Sequence, residues 1–350
     1  KTLLNDDAEV FNEFFDISVA GNWFEGIPSA KGKNILRTKT RLEIFAGEKN
    51  IPVEKLRNII QKGKPILLSE RNRRIRPALD DKIILGWNAL MNTACSKAFA
   101  ATGEEQYRQL AIVNMKFLLE HFQNAKDKFL YHTWKNNEPK NFGFLDDYAF
   151  VVQALLNLQE ITGDVDWLFK ARELTEYVIE NFMDRETSFL FFTDKRQKDV
   201  ILRKKEIYDG ATPSGNATMA YNVYHLSIIF NFPEWKIIAE NMITSLARVI
   251  TQYPTSFGVW SMLFMEMVCG TEEIAVVGKN NSSLGEQVLA QYIPHKVFMA
   301  PSKPNVELPL LVGKTPTNPP LIYLCRAYSC LNPVTEASQL LELINKANKN

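Results

Sequence analysis

Asp209-Gly-Ala-Thr-Pro-Ser-Gly-Asn216 is the most polar, turn-rich helix opening in the chain. Asp209-Gly210 reads as a turn, Thr212 as a helix cap and Pro213 as the first helical residue. Gly215 then falls in the first turn, where the missing Cβ lets another group approach the backbone closely. Met219, Val223 and Leu226 continue as an apolar helical stripe. Asp80-Asp81-Lys82 and Asp146-Asp147-Tyr148 lie near the openings of two other apolar helices. The sequence therefore predicts three helices whose polar openings converge on one mouth.

An internal repeat supports that arrangement. Phe129, Phe189 and Phe257 follow three long helices at offsets of 60 and 68 residues. Tyr107, Trp167 and Trp235 keep the same offsets, and Gly103 and Gly163 keep the first. Each unit reads as an inner helix, a turn, an outer helix and a short extended connection. Ile84, Trp87, Leu90/Met91, Ala94 and Ala98 recur at helical spacing, as do Val151, Leu155, Leu158 and Ile161. Such hairpins bury their apolar faces only by stacking. The expected fold is mainly α: an (α/α)6 toroid over residues 1–270, with its inner-helix N-termini on one face. Applying the offsets makes Trp87-Asn88, Asp147-Tyr148 and Gly215-Asn216 equivalent positions.

The tail changes character. Glu273–Val277 and Lys296–Met299 read as strands around a helix over 284–292, with further strand patterns at Leu308–Val312 and Leu321–Leu324. This predicts a small α/β appendage over 271–325, and a C-terminal helix in 326–350 that completes the toroid.

Bulk composition narrows the function classes. The chain has 350 residues, 46% of them hydrophobic, and a net charge of +1 from 41 basic and 40 acidic residues. No long basic run exists, so a nucleic-acid partner is not expected. No apolar stretch approaches the roughly 18 residues needed to span a membrane. The first residue is lysine and no signal peptide follows, so the chain reads as a piece of something longer, located in the cytoplasm. Of the four cysteines, Cys95 reads as a buried small hydrophobe. Cys325 and Cys330 read as two unpaired thiols, since their spacing is not that of the usual reactive motif. No metal-ligand spacing occurs, and neither a metal nor a cofactor is expected.

Several stretches together resemble one family. They are Gly21-Asn22-x-Phe24-Glu25-Gly26, Arg74-x-Arg76-Pro77-x-x-Asp80-Asp81-Lys82, and Trp87-Asn88-x-Leu90-Met91. Leu145-Asp146-Asp147-Tyr148-Ala149, the Asp209–Asn216 opening, and Tyr323-x-Cys325-x4-Cys330-x-x-Pro333 complete the set. The family is that of the thioredoxin-like proteins typified by spermatogenesis-associated protein 20 and bacterial YyaL. The resemblance implies a thioredoxin-like domain upstream, acting as a partner in cis. It also implies a six-hairpin toroid similar to those of glycosidases and N-acylglucosamine 2-epimerases. Ala89 stands where the family pattern has glycine, and residues 27–33 read as a local insertion.

The candidate site follows from the shared register of the openings. Asp81, Asp147 and Asp209 form the candidate acid–base set, because sugar chemistry needs a protonated acid and an ionised partner. Glu25, Arg76, Trp87, Asn88, His132, Trp134, Tyr148, Ser214 and Asn216 are the candidate binding residues for a small carbohydrate. Trp23, Tyr131 and Trp260 add aromatic faces in loops or connections. Each acid can equally serve as a helix cap that favours the dipole, and each aromatic as packing beneath a loop. Of the four histidines only His132, on a connection, is well placed; the histidine pair common in sugar epimerases is missing. Two function classes therefore stand side by side. One is a glycosidase-like or N-acylglucosamine 2-epimerase-like pocket, and the other a non-catalytic module serving the thioredoxin-like domain.

Overall fold

The computed structural model describes residues 1–23, 32–301 and 308–347. Its contacts divide into two compact units, Lys1–Asp80 and Asp81–Asn350.

The first unit contains α1 (Ala8–Phe14), α2 (Leu42–Glu48) and α3 (Val53–Asn72). Phe14, Phe45, Ala46, Leu56 and Ile60 make its apolar centre. Asn22 braces the loop after α1. Its amide donates to the Asp16 carbonyl at 2.6 Å and the Ile35 carbonyl at 2.8 Å, and its Oδ1 accepts the Ile35 N–H. Glu25 lies outside the described residues.

The second unit opens with β1 (Ile83–Ile84) and three helical hairpins. These are α4 (Leu85–Thr102) with α5 (Glu105–Phe122), α6 (Leu145–Thr162) with α7 (Asp166–Phe182), and α8 (Gly215–Phe230) with α9 (Pro233–Gln252). A single helix, α10 (Gly258–Cys269), follows. The inner helices pack side by side in the order α4, α6, α8, α10. The mainly helical hairpin fold expected from the repeat is the one observed, and its landmarks fall in register. Gly103, Gly163 and Asn231 all end inner helices in the left-handed conformation, at φ of 71°, 67° and 54°. Gln123 bridges Leu130, and sixty residues on Met183 bridges Leu190.

Inner and outer helices differ in pattern because they differ in neighbours. α6 and α8 are enclosed and bury residues on nearly every side. α7 and α9 present one apolar stripe inward and charges outward. Between α5 and α6, β2 (Tyr131–Lys135) and β3 (Glu138–Phe142) form a hairpin that also pairs with β1. Its two-residue turn, Asn136-Asn137, has positive φ at both positions, as this turn type demands.

The tail forms a second sheet. β4 (Glu272–Val277) runs parallel to β5 (Lys296–Met299) through the crossover helix α11 (Ser282–Leu289). β6 (Leu321–Arg326) lies antiparallel on the other side of β4, and β7 (Ser329–Cys330) closes the sheet in the order β5-β4-β6-β7. Leu308–Val312 contains a short 3-10 turn instead of a strand, because Pro309 withholds a ladder N–H. The sheet shares one continuous core with α4 to α8. The C-terminal helix α12 (Ala337–Ala347) packs on β6 and α11. Leu340 and Ile344 carry its buried side onto that sheet.

Buried charge at the far end of the inner helices is balanced locally. The Glu266 carboxylate is fully buried and accepts from His225 Nε2 at 3.0 and 3.1 Å and from the Thr271 hydroxyl at 2.9 Å. Burial alone would raise this carboxyl, but His225 and its other partners hold it below its ordinary value.

Candidate functional site

The first residues of four inner helices are tied together by three carboxylates. Asp147, third in α6, accepts the Gly86 N–H at 2.9 Å through Oδ1. Its Oδ2 accepts the Phe144 N–H at 2.9 Å and meets His132 Nδ1 at 2.8 Å. Asp146, its neighbour, takes the N–H of Gly215 at the start of α8. Asp209 accepts the Ser214 N–H through Oδ1 and the Val259 N–H of α10 through Oδ2, both at 2.9 Å. The first turn of α6 therefore supplies one acid to α4 on one side and one to α8 on the other. Free N–H groups at a helix start demand acceptors, and here the acceptors come from the adjacent element.

This arrangement corrects the local capping assignments. The cap of α8 is Ser214, whose hydroxyl accepts the Ala217 N–H at 3.1 Å, and not Thr212. Thr212 belongs to the preceding turn, where its carbonyl accepts the Gly210 N–H. Asp81 does not cap α4. It is exposed and ion-paired with Lys135, which holds its carboxyl below the ordinary range. Asp147 takes that place from across the hairpin boundary.

Five expected binding residues are engaged inside the scaffold. Tyr148 is fully buried, and its hydroxyl oxygen accepts the Leu130 N–H. Asn216, equivalent to it in the repeat, is also fully buried; its Oδ1 accepts the Leu190 N–H, and its amide donates to the Leu190 and Glu206 carbonyls. Each fastens the connection after an outer helix, and the close match explains why their positions repeat. Asn88 donates to the Ile84 carbonyl, and Ser214 serves as the cap. Trp134 packs against Phe117, His121 and Phe122. Trp260 is fully buried with its indole N–H on the Ile207 carbonyl, so it offers no face to a mouth. Arg76 lies in the first unit, where its guanidinium holds Asn72 Oδ1. Trp87, at the start of α4, is 67% exposed.

Besides the exposed Asp81 and the buried Tyr148, whose proton affinities are also displaced, His132 and Asp146 have raised proton affinities at these openings. The Asp147 hydrogen bond raises the His132 imidazole above its ordinary value, against burial and the positive charge of Lys82. Among the described residues nothing hydrogen-bonds His132 Nε2. Phe144 lies 4.8 Å from the imidazole and stacks at 4.7 Å on Phe192. Burial pushes the Asp146 carboxyl up to about 6, with the charges of Asp147 and Glu206 acting in the same direction. Sequence reasoning singled out Asp147 over Asp146, although the pair was visible. The signal that separates them is tertiary: Asp147 is saturated by donors, whereas Asp146 is crowded by like charge.

A pH dependence follows. Folded Asp146 keeps its proton to a higher pH than the unfolded chain does, so it is more favourable protonated. That contribution is complete below the unfolded carboxyl pKa of about 4 and is lost as pH rises through about 6. Thermal melts of Asp146→Asn should show a flatter stability profile across this window than those of the unaltered chain. Identical profiles would refute the assignment.

The body of α4 beyond its first two residues, all of α5, the β2–β3 hairpin, α6, α7 and the approach to α8 coincide with one stretch of similarity. Residues 87–213 match the family model of N-acylglucosamine 2-epimerase. Human spermatogenesis-associated protein 20 is 26% identical over 334 residues, which cover 90% of this chain and 42% of that protein. The chain thus spans less than half the length of this curated relative. Among solved structures, the cellobiose 2-epimerase of Spirochaeta thermophila is 16% identical with a TM-score of 0.39, over 47% of this chain and 43% of that one. The GH76 α-mannanase of Bacteroides thetaiotaomicron is 15% identical with a TM-score of 0.41, over 66% and 67%. No described helix is long and apolar enough to cross a membrane.

Proposed function

We propose that this chain is a carbohydrate-active domain that moves a proton at the carbon beside the carbonyl of an open-chain N-acyl hexosamine. His132 and Asp146 are the working groups, and Asp147 is the positioning residue. The observation that carries the reading is the 2.8 Å contact between Asp147 and His132 Nδ1, made by a carboxylate already fixed by two backbone N–H groups. Such a contact sets the ring and leaves Nε2 as the reactive nitrogen. That both groups lie within the stretch resembling N-acylglucosamine 2-epimerase supports the substrate class.

The protonation states fit two-base chemistry. Above a pH of about 6 Asp146 is ionised and accepts a proton, while His132, with its raised affinity, remains able to give one. Removing the proton from one face of the sugar carbon and returning it from the other inverts that carbon. In this reading Asp209 braces α8 and α10, Asp81 with Lys135 belongs to the rim, and Trp87 offers an aromatic face to the sugar.

The test is solvent exchange. N-Acetylglucosamine and N-acetylmannosamine are incubated with the protein in deuterium oxide, and label at C2 is followed by mass spectrometry. Exchange should occur, and His132→Gln should lower its rate by roughly 100-fold or more. Absence of exchange with both sugars, under conditions where the protein is folded, would overturn the reading. A non-catalytic module is the second reading, favoured by the use of Asp147 and Asp209 on backbone N–H groups. It expects sugar-dependent thermal stabilisation without exchange, or activity only when a thioredoxin-like domain is attached.

A further inference from the structure

The β6–β7 hairpin carries a disulfide between Cys325 and Cys330. This corrects the expectation of two unpaired thiols. The hairpin turn is only two residues long, Ala327-Tyr328, with positive φ at both positions. Arg326 pairs with Ser329, and the next rung sets Cys325 opposite Cys330 with Cα atoms 3.9 Å apart. Five residues of separation say little in a loop but place two side chains together across a tight hairpin. The two sulfurs face different surroundings, because Cys325 is buried in the sheet and Cys330 is exposed.

The same turn acts as a latch. The Tyr328 N–H donates to Glu273 Oε2 at 3.0 Å, and the Ala327 N–H also serves that carboxylate. Arg326 pairs with Glu272. The Tyr328 hydroxyl donates to the Ile228 carbonyl at 2.7 Å, near the end of α8. At its other end α8 holds Asp146 through Gly215.

We propose that Cys325–Cys330 is a redox-active pair that an external dithiol opens in the folded protein, releasing the Tyr328 latch from α8. A thiolate of the dithiol attacks the exposed Cys330 sulfur. The sulfur–sulfur bond breaks, its electron pair leaves on Cys325, and that thiolate takes a proton from solvent. The second thiol of the reductant, as its thiolate, then attacks the reductant's own sulfur in the mixed disulfide and releases Cys330. The protein gains two electrons and two protons, and the reductant departs as a cyclic disulfide. Opening the pair removes the crosslink behind the turn, so the Ala327 and Tyr328 N–H groups lose their fixed aim at Glu273.

The test labels thiols in the native chain with a maleimide, before and after millimolar dithiothreitol, and locates the label by mass spectrometry. Without reductant, only Cys269 among the exposed cysteines should react. With reductant, Cys330 should become labelled while the fold persists. Hydrogen exchange at Ala327 and Tyr328 should then rise by roughly tenfold or more, with little change at Gly86. Re-oxidation should restore protection, and Cys330→Ser should show the raised exchange without reductant. Labelling of Cys330 before reduction would overturn the proposal, as would resistance to dithiothreitol until the chain is unfolded. Opening of the pair with unchanged exchange at Tyr328 would overturn the latch.

Discussion

Replacing Asp147 by alanine is expected to destabilise the chain by roughly 3–5 kcal/mol, the scale for removing one partner of a buried charged network. The residue is 2% exposed, and its side chain is the acceptor for the Gly86 and Phe144 N–H groups. Its loss strands one buried and one part-buried donor, the buried one costing about 1–3 kcal/mol, and takes away the partner of His132. For a chain of this size the melting temperature should fall by roughly 4–7 °C. Asp147→Asn keeps one carbonyl oxygen but turns an amide donor toward the other donors, so it should recover only part of the loss. A change of less than about 0.5 kcal/mol in Asp147→Ala, the range of an ordinary surface substitution, would show that the three contacts do not hold the openings together.

Gly215→Ala should cost about 1–3 kcal/mol, the range for forcing extra volume into a filled site. Alanine is the better helix former, and on propensity alone the change would stabilise by roughly 1 kcal/mol. Space decides against it. A Cβ at Gly215 would overlap the Asp146 carboxylate oxygen and stand 2.9 Å from Leu145 Cγ and 3.0 Å from the Asp146 nitrogen. Two of these obstacles are the backbone and first side chain of α6, which cannot turn away as a flexible chain end would. Gly210→Ala is the control in the same opening, since a Cβ there meets nothing within 4 Å. Equal stability of the two variants by chemical unfolding would mean that α6 and α8 are not in close contact at this point.

What the sequence disclosed was whatever repeats along it. Gly103, Gly163 and Asn231 end their helices at the offsets that the phenylalanines and tryptophans set, although the third landmark is not a glycine. The strand at Lys296–Met299 was legible from its own pattern because a buried strand is a local hydrophobic run. The helix caps were not legible. Ser214 is a local cap and was missed by two residues, while Asp147 and Asp209 serve helices that lie 61 and 50 residues away. No spacing rule reaches that far. Asp146 and Asp147 fall in the first turn of α6, but which of them is saturated depends on neighbours that only folding brings near. Trp260 misled for the same reason: its position after a loop suggested exposure, and packing of α10 on α8 and α9 buries it. The cysteine pair needed the hairpin turn, and neither Ala327 nor Tyr328 advertises a left-handed conformation.

The twin acids of α6 bear on how far this molecule can be edited. Repeat proteins are often treated as strings of interchangeable modules whose stabilities add and whose copies can be deleted or grafted. Here the hairpins on either side of α6 borrow its side chains to finish their first turns, so a module boundary drawn between hairpins cuts through a cap. Excising α6 and α7 would leave Gly86 without Asp147 and Gly215 without Asp146, on opposite sides of the deletion. A graft that keeps these donors and acceptors together would have to begin before the opening of α4 and end after the opening of α8.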